Sequence, residues 1–257
     1  MPPPSDTSHD KAPGEDRRAP ALDDDLLDAL AGRVDEMTAA RRLPADLAAR
    51  METAGLFRML VPEEFGGGEL HPSAAARILE RLGRVNASAA WCVMIASTTA
   101  SLAGRMDPAG AAEVFADRTG VWGGTYAPAG RATAAGDDLV LDGHWQWGSG
   151  SENCTWLVGG ASCGDGVPRL LWVPRAAVTL TPNWDVIGLE GTGSHDWEVS
   201  GDGVPPARVR EFDLGDADPV TDPPLYRVPL FGLLALGISG VALGIAAGAL
   251  DSFVELA

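Results

Sequence analysis

Cysteine is scarce in this chain of 257 residues. Cys92, Cys154 and Cys163 are an odd number, no two form a C-x-x-C pair, and each sits among apolar or small neighbours. That excludes a disulfide framework and a thiolate metal cluster, and it is the pattern of reduced thiols in a cytosolic (cytoplasmic) protein. Histidine is as sparse. His9, His71, His144 and His195 are scattered without carboxylate partners at ligand spacing, so no metal site is expected. The first two read as solvated and the last two as makers of structural hydrogen bonds. Positive charge is short as well: 19 basic against 36 acidic side chains leave a formal charge of -17. Such a surface repels nucleic acid and anionic lipid. Met1 to Ala21 lacks apolar periodicity and reads as a disordered tail, and it also lacks the apolar core of a signal peptide.

What is present is enough chain to bury a sizeable core, with three successive textures. Leu22, Leu26, Leu27, Leu30 and Val34 recur at helical spacing. Pro44 opens a second stripe of Leu47, Met51 and Ala54 that Gly55 ends, and a third helix is expected from Pro72 to about Arg84. Ser88 to Met106 reads as one buried helix, because Ala89 to Ala96 carries no charge. Its hydroxyls, Ser97, Thr98, Thr99 and Ser101, either bond the carbonyl one turn back or line a pocket. From Val121 to Val220 the helical period vanishes, short apolar runs alternate with Gly, Pro and Asp, and seven of the eight tryptophans fall there. Phe231 to Leu250 is then uncharged, with Ser239 as its one polar side chain. By length it could span a membrane. Its glycine and alanine content and the ridge Gly240, Gly244, Gly248 point instead to a closely packed bundle helix, and its uncovered face to a missing helical domain, a homo-oligomer, or both. The fold class is thus α+β and multidomain: an all-helical N-terminal domain over 22–117, a central β-barrel or sandwich over 118–222, and the first helix of a C-terminal helical bundle over 223–257.

The stretch Gly143 to Ser151 crowds two indoles and two hydroxyls into nine glycine-rich residues between two strands. A flat polar heteroaromatic ligand needs such a mixture, with an aromatic wall, close main chain and hydroxyl or N–H donors, and flavin fits best. The alternative is core packing. Trp145 and Trp147, two apart on a strand, point to one face, and indoles there are more often core.

Four segments carry a resemblance to the acyl-CoA dehydrogenase fold. Val61-Pro62-Glu63-Glu64-Phe65-Gly66-Gly67 resembles a motif of that family's N-terminal helical domain. Thr125 to Arg131 lies where the family has its T-E-P-G-x-G-S strand end, without the acidic residue. Trp147-Gly148-Ser149 is similar to W-[IVAS]-[TS], and Gly188 to Ser194 to the G-x-R-G-[ST] turn, with Glu190 in place of arginine. The closer similarity, carried by Trp145 to Gly150 and Gly188 to Asp196, is to the oxygenase components of two-component flavin monooxygenases. This resemblance implies a flavoenzyme that uses reduced FAD or FMN, delivered by a separate reductase, and oxygen to hydroxylate a small, aromatic or polycyclic substrate. It places Trp147 over the flavin and makes Ser149 the catalytic residue, a donor near flavin N5, with Thr125, Tyr126 and Ala127 as the adjoining strand edge. Trp91, Thr98 and Thr99 fall in the substrate pocket, and one of the threonines stands where many of these oxygenases carry a histidine. It also implies a fragment, since only the first helix of the family's C-terminal domain, from about Val228, is represented, and a tetramer once complete. An FAD-dependent acyl-CoA dehydrogenase and an inactive relic of the fold are the competing readings.

Overall fold

The computed structural model describes residues 20–212 and 223–257. Most of the segment read as a disordered tail, and the end of the expected β region, lie outside the described residues.

The amphipathic stripes fold as short helices. These are α1 (Asp24–Ala31), α2 (Val34–Ala40) and α3 (Ala45–Thr53), followed by α4 (Pro72–Val85), α5 (Ala87–Ala100) and α6 (Pro108–Val114). Asn86 punctuates the middle of this bundle. Its Oδ1 caps α5 by accepting from the Ala89 N–H at 2.9 Å, while its Nδ2 donates to the Leu30 carbonyl, also at 2.9 Å. Both bonds are buried, so α1 is tied to the α4–α5 junction by groups that water cannot replace. The single helix expected over Ser88 to Met106 is divided: α5 ends at Ala100 and a 3-10 turn follows over Ser101–Arg105. The Ser101 hydroxyl donates to the Thr98 carbonyl at 2.6 Å, which tightens the chain there. Gly104 then accepts the Tyr226 ring so closely that an added Cβ would meet it at 2.6 Å.

Among the described residues seven strands follow: β1 (Trp122–Ala135), β2 (Asp138–Gly148), β3 (Trp156–Cys163), β4 (Arg169–Pro174), β5 (Thr179–Thr181), β6 (His195–Val204) and β7 (Val209–Glu211). They form one sheet in the order β5-β6-β2-β1-β3-β4-β7, with β1 and β3 parallel and the other pairs antiparallel. β1 and β2 are longer than the short runs the sequence suggested, 14 and 11 residues. The open sheet curves around a pair of indoles at its centre. Trp145 of β2 stacks on Trp197 of β6 with centroids 4.2 Å apart, and a Cβ at Gly159 of β3 would sit 2.7 Å from the first indole and 3.0 Å from the second. Glycines at 130, 143 and 159 form the slot for Trp145, whose Nε1 donates to the Gly160 carbonyl at 2.8 Å. Larger side chains there would push the strands off the indole.

The last element, α7 (Leu230–Glu255), lies along α4. The glycine ridge makes this possible. Added Cβ atoms at Gly240, Gly244 and Gly248 would stand 2.7, 2.2 and 2.4 Å from the carbonyls of Ala76, Glu80 and Arg84. The helix is long and apolar enough to cross a membrane by length and composition, but Leu233, Gly237, Gly240, Val241 and Gly244 are buried in its packing. On its other side Phe231, Leu243, Leu250 and Phe253 are exposed.

Candidate functional site

The β2–β6 ladder shifts once between Leu141 and Asp142, runs in step from Asp142 to Trp145 opposite Trp197, and then jumps to Gly148 opposite His195. Three steps along β2 face two along β6, so one extra residue is inserted and the pleat is broken. Trp147 absorbs the irregularity with φ of 64°, a left-handed conformation that costs a bulky residue on the order of 1–3 kcal/mol. Its consequence is orientation. Trp145 is fully buried while Trp147 is 68% exposed, so the expectation that the two share a strand face is wrong. Alternation fails because the bulge turns Trp147 out of the pleat. Trp145 is core and Trp147 is not.

Ser149 lies just past the end of β2, in a tight turn in which its own N–H bonds the Trp147 carbonyl at 2.9 Å. It is buried. Trp91, on α5, donates its Nε1–H to the Ser149 Oγ at 3.1 Å. The Ser149 Oγ is 2.7 Å from that of Ser194, which is 2.7 Å from Thr192 Oγ1, and Thr192 donates to the Leu189 carbonyl at 2.9 Å. The direction of this line is fixed at both ends, because an indole N–H can only donate and a carbonyl can only accept. Thr192 therefore gives its proton to Leu189, Ser194 gives its proton to Thr192, and Ser149 gives its proton to Ser194. Ser149 has no proton left for a ligand. The expectation that it acts as a donor is corrected accordingly: it offers a lone pair.

The neighbouring strand is also irregular. The β1–β3 ladder passes from Thr125 opposite Gly159 to Gly130 opposite Ala161, so four residues of β1, Tyr126 to Ala129, bulge against the single Gly160. Gly160 is required there, since a Cβ would meet the carbonyls of Tyr126 and Ala127 at 2.1 and 2.6 Å. Ala127 is exposed. The Thr125 hydroxyl donates to the Gln146 carbonyl at 3.1 Å and accepts from Trp197 Nε1 at 3.3 Å, which holds the β1 bulge beside the β2 bulge. The Tyr126 phenol donates to Thr99 Oγ1 at 3.4 Å, and burial pushes its pKa up to about 12, so it stays neutral.

Of the eight site residues expected from sequence, the structure thus joins Trp91 to Ser149 and Tyr126 to Thr99, puts Ala127 and Trp147 on the two adjacent bulges, and leaves Thr125 as the last paired residue before the β1 bulge. Thr98 is separate. Its hydroxyl donates to the Met94 carbonyl at 2.6 Å, and its methyl lies 3.3 Å from where a Cβ on Gly237 of α7 would be. It packs two helices together. Sequence reasoning missed the roles of Ser194 and Thr192, although the motif containing them was noted, because only the folded turn brings their hydroxyls into line with Ser149.

Around this site the chemistry is unreactive by design of its surroundings. Cys92 and Cys154 are buried, and desolvation pushes both thiols up to about 12, which removes them as nucleophiles at neutral pH. His195 makes the structural hydrogen bonds expected of it: Nδ1 accepts from the Trp184 N–H at 3.2 Å, which leaves Nε2 to donate to Glu152 at 3.1 Å. Glu152 in turn holds Arg42 at 2.9 Å. A larger groove of about 870 Å³, lined by Arg131, Asp137, Leu139, Arg169 and Glu211, lies elsewhere. Leu139 and Trp147 are eight strand positions apart, roughly 26 Å.

Helices, curved sheet and a terminal helix on α4 make this an acyl-CoA dehydrogenase-like fold, and residues 25–106 match the family described as acyl-CoA dehydrogenase, N-terminal domain. That segment carries the family's N-terminal domain, and the relatives of the chain include flavin-dependent monooxygenase oxygenase subunits. It is 31% identical over 224 residues to the pigment production hydroxylase of Rhodococcus erythropolis, covering 81% of this chain and 57% of that one. It is 30% identical over 231 residues to the indole-3-acetate monooxygenase of Pseudomonas putida, covering 88% and 58%. Among solved structures, the 3-HSA hydroxylase from Rhodococcus sp. RHA1 superposes with a TM-score of 0.84 at 28% identity, covering 90% of this chain and 62% of that one. XiaF from Streptomyces sp., in complex with FADH2 and glycerol, gives 0.83 at 26% identity, covering 90% and 61%. The chain therefore spans less than two thirds of the length of the relatives it matches.

Proposed function

We propose that the chain is part of a flavin-dependent monooxygenase, the oxygenase component of a two-component system, which hydroxylates a small aromatic or polycyclic substrate with reduced FAD or FMN and oxygen. The observation that carries this reading is Trp147: a large indole held outward at a strained left-handed backbone position, beside a buried hydroxyl and a second, exposed bulge. Strain of that kind persists where the surroundings enforce it and clusters at ligand sites. The donor set fits a flavin. An exposed indole offers apolar cover for a flat ring, the bulge at Tyr126 to Ala129 offers main chain, and Ser149 offers one oriented polar contact.

Reduced flavin, when bound, supplies the two electrons that let one atom of dioxygen enter the substrate while the other leaves as water. The chain's own residues position and shield. Trp147 covers the ring, Thr125 and Ala127 border it, and Ser149 fixes its orientation through its lone pair. Trp91, Tyr126 and Thr99 form the wall between α5 and the sheet against which the substrate rests, with the Tyr126 phenol neutral. A separate flavin reductase supplies the reduced cofactor, and the complete protein is a cytoplasmic homotetramer whose contacts cover the exposed face of α7. Its acidic surface fits neither nucleic acid nor an anionic membrane.

The test is anaerobic equilibrium dialysis of the purified chain against reduced FMN and reduced FAD. Saturable binding of one reduced flavin per chain is the expected result. A chain that retains oxidised FAD through purification and binds reduced flavin no better supports dehydrogenase chemistry instead, and a chain that binds no flavin contradicts both.

A further inference from the structure

The hydroxyl line from Ser149 to Leu189 does more than hold a turn. Ser149, Ser194 and Thr192 are 7%, 3% and 1% exposed, so water does not compete for their protons, and a buried polar chain of this kind keeps one arrangement. Each serine belongs to a tight turn: Ser149 closes one with its N–H on the Trp147 carbonyl at 2.9 Å, and Ser194 is the centre of another in which the His195 N–H bonds the Gly193 carbonyl at 2.7 Å. Gly150 N–H closes the pair by donating to the Thr192 carbonyl at 2.8 Å.

We infer that Ser194 and Thr192 are positioning residues that set the redox preference of the flavin site, by drawing the Ser149 proton inward and leaving an acceptor facing the ring. This rests on the flavin reading above. On a flavin, ring nitrogen N5 carries a lone pair when oxidised and a hydrogen when reduced, whereas N3–H and the two carbonyls keep their roles in both states. A hydroxyl that can only accept attracts the reduced N5–H and repels the oxidised N5. A hydroxyl free to rotate serves either state. The distinction lies two residues away from the ring, in Ser194 and Thr192.

The experiment is equilibrium dialysis of the full chain against FMN and FAD, each oxidised and, under anaerobic conditions, dithionite-reduced, with the ratio of the two dissociation constants as the readout. The natural chain is expected to bind the reduced form more tightly. Ser194→Ala releases the Ser149 proton, so the ratio should fall about tenfold, the scale of one hydrogen bond, with oxidised flavin binding more tightly than before. Ser194→Thr keeps a hydroxyl in line and should keep the ratio. A merely structural role for Ser194 would weaken both forms equally and leave the ratio unchanged, and that result overturns the inference. If Ser194→Ala does not fold, Thr192→Val carries the same expected direction, with Thr192→Ser as its control. A natural chain that binds reduced flavin no more tightly than oxidised overturns the redox device alone. One that binds neither overturns the flavin reading as well.

Discussion

Trp91 and Ser149 lie 58 residues apart in sequence, and the indole Nε1–H of the first donates to the hydroxyl of the second at 3.1 Å. That one bond joins α5 of the helical region to the end of β2, and it fixes which way the Ser149 lone pair can turn. Trp91→Phe keeps the ring's bulk and removes the donor. Stability should fall by about 1 kcal/mol, seen as a lower urea midpoint, and reduced-flavin affinity should fall with it. An unchanged midpoint and affinity would show that the bond holds nothing.

The two tryptophans of β2 should behave oppositely. Trp145→Ala empties a slot in the core and should destabilise the chain by roughly 3–5 kcal/mol. Trp147→Ala removes a side chain that is 68% exposed and keeps the left-handed backbone, so stability read by urea unfolding should stay within about 0.5 kcal/mol of the natural chain. Equal losses would return Trp147 to the core.

The glycine ridge of α7 gives a sharp packing test. At Gly244 an added Cβ would lie 2.2 Å from the Glu80 carbonyl, which belongs to backbone and cannot swing away. Gly244→Ala should therefore push α7 off α4 and cost about 1–3 kcal/mol. The intrinsic gain in helix propensity from Gly to Ala, roughly 1 kcal/mol, opposes this and is the smaller effect. A stabilised Gly244→Ala would show that the ridge is not a close contact.

Thiol reactivity follows from burial. With Cys92 and Cys154 pushed up to about 12, iodoacetamide at pH 8 should modify Cys163 first in the native chain and all three cysteines only after denaturation, read by mass spectrometry. The sign for stability also follows. Above the ordinary thiol value of 9.0 the unfolded chain loses these protons while the folded chain keeps them, so stability should decline as pH rises through that range. Rapid native labelling of Cys92 would contradict the packing around Gly150.

Much of this was legible in the sequence, for physical reasons. Helix stripes such as Leu26 and Leu30, or Leu47 and Met51, are set by the 3.6-residue period and appear as buried in the structure. Gly240, Gly244 and Gly248 announced a close approach that α4 supplies. Strand alternation misled at Trp147, because a single inserted residue reverses a face and leaves no mark in composition. Thr98 and Thr99 looked alike, yet one bonds its own helix and the other accepts from Tyr126. Ser194 joined the site only when the sheet brought it within 2.7 Å of Ser149. Local periodicity carries elements, whereas a hydrogen-bonded line across 45 residues does not exist until the chain has folded.

The most direct test of the account is the affinity of Trp147→Ala for reduced FMN and FAD, measured anaerobically beside the natural chain. Loss of the indole strips apolar cover from one face of the ring, so affinity should drop by about tenfold or more while the folded state stays intact. A Trp147→Ala chain that binds reduced flavin as tightly as the natural one would contradict the placement of the cofactor on this pair of bulges.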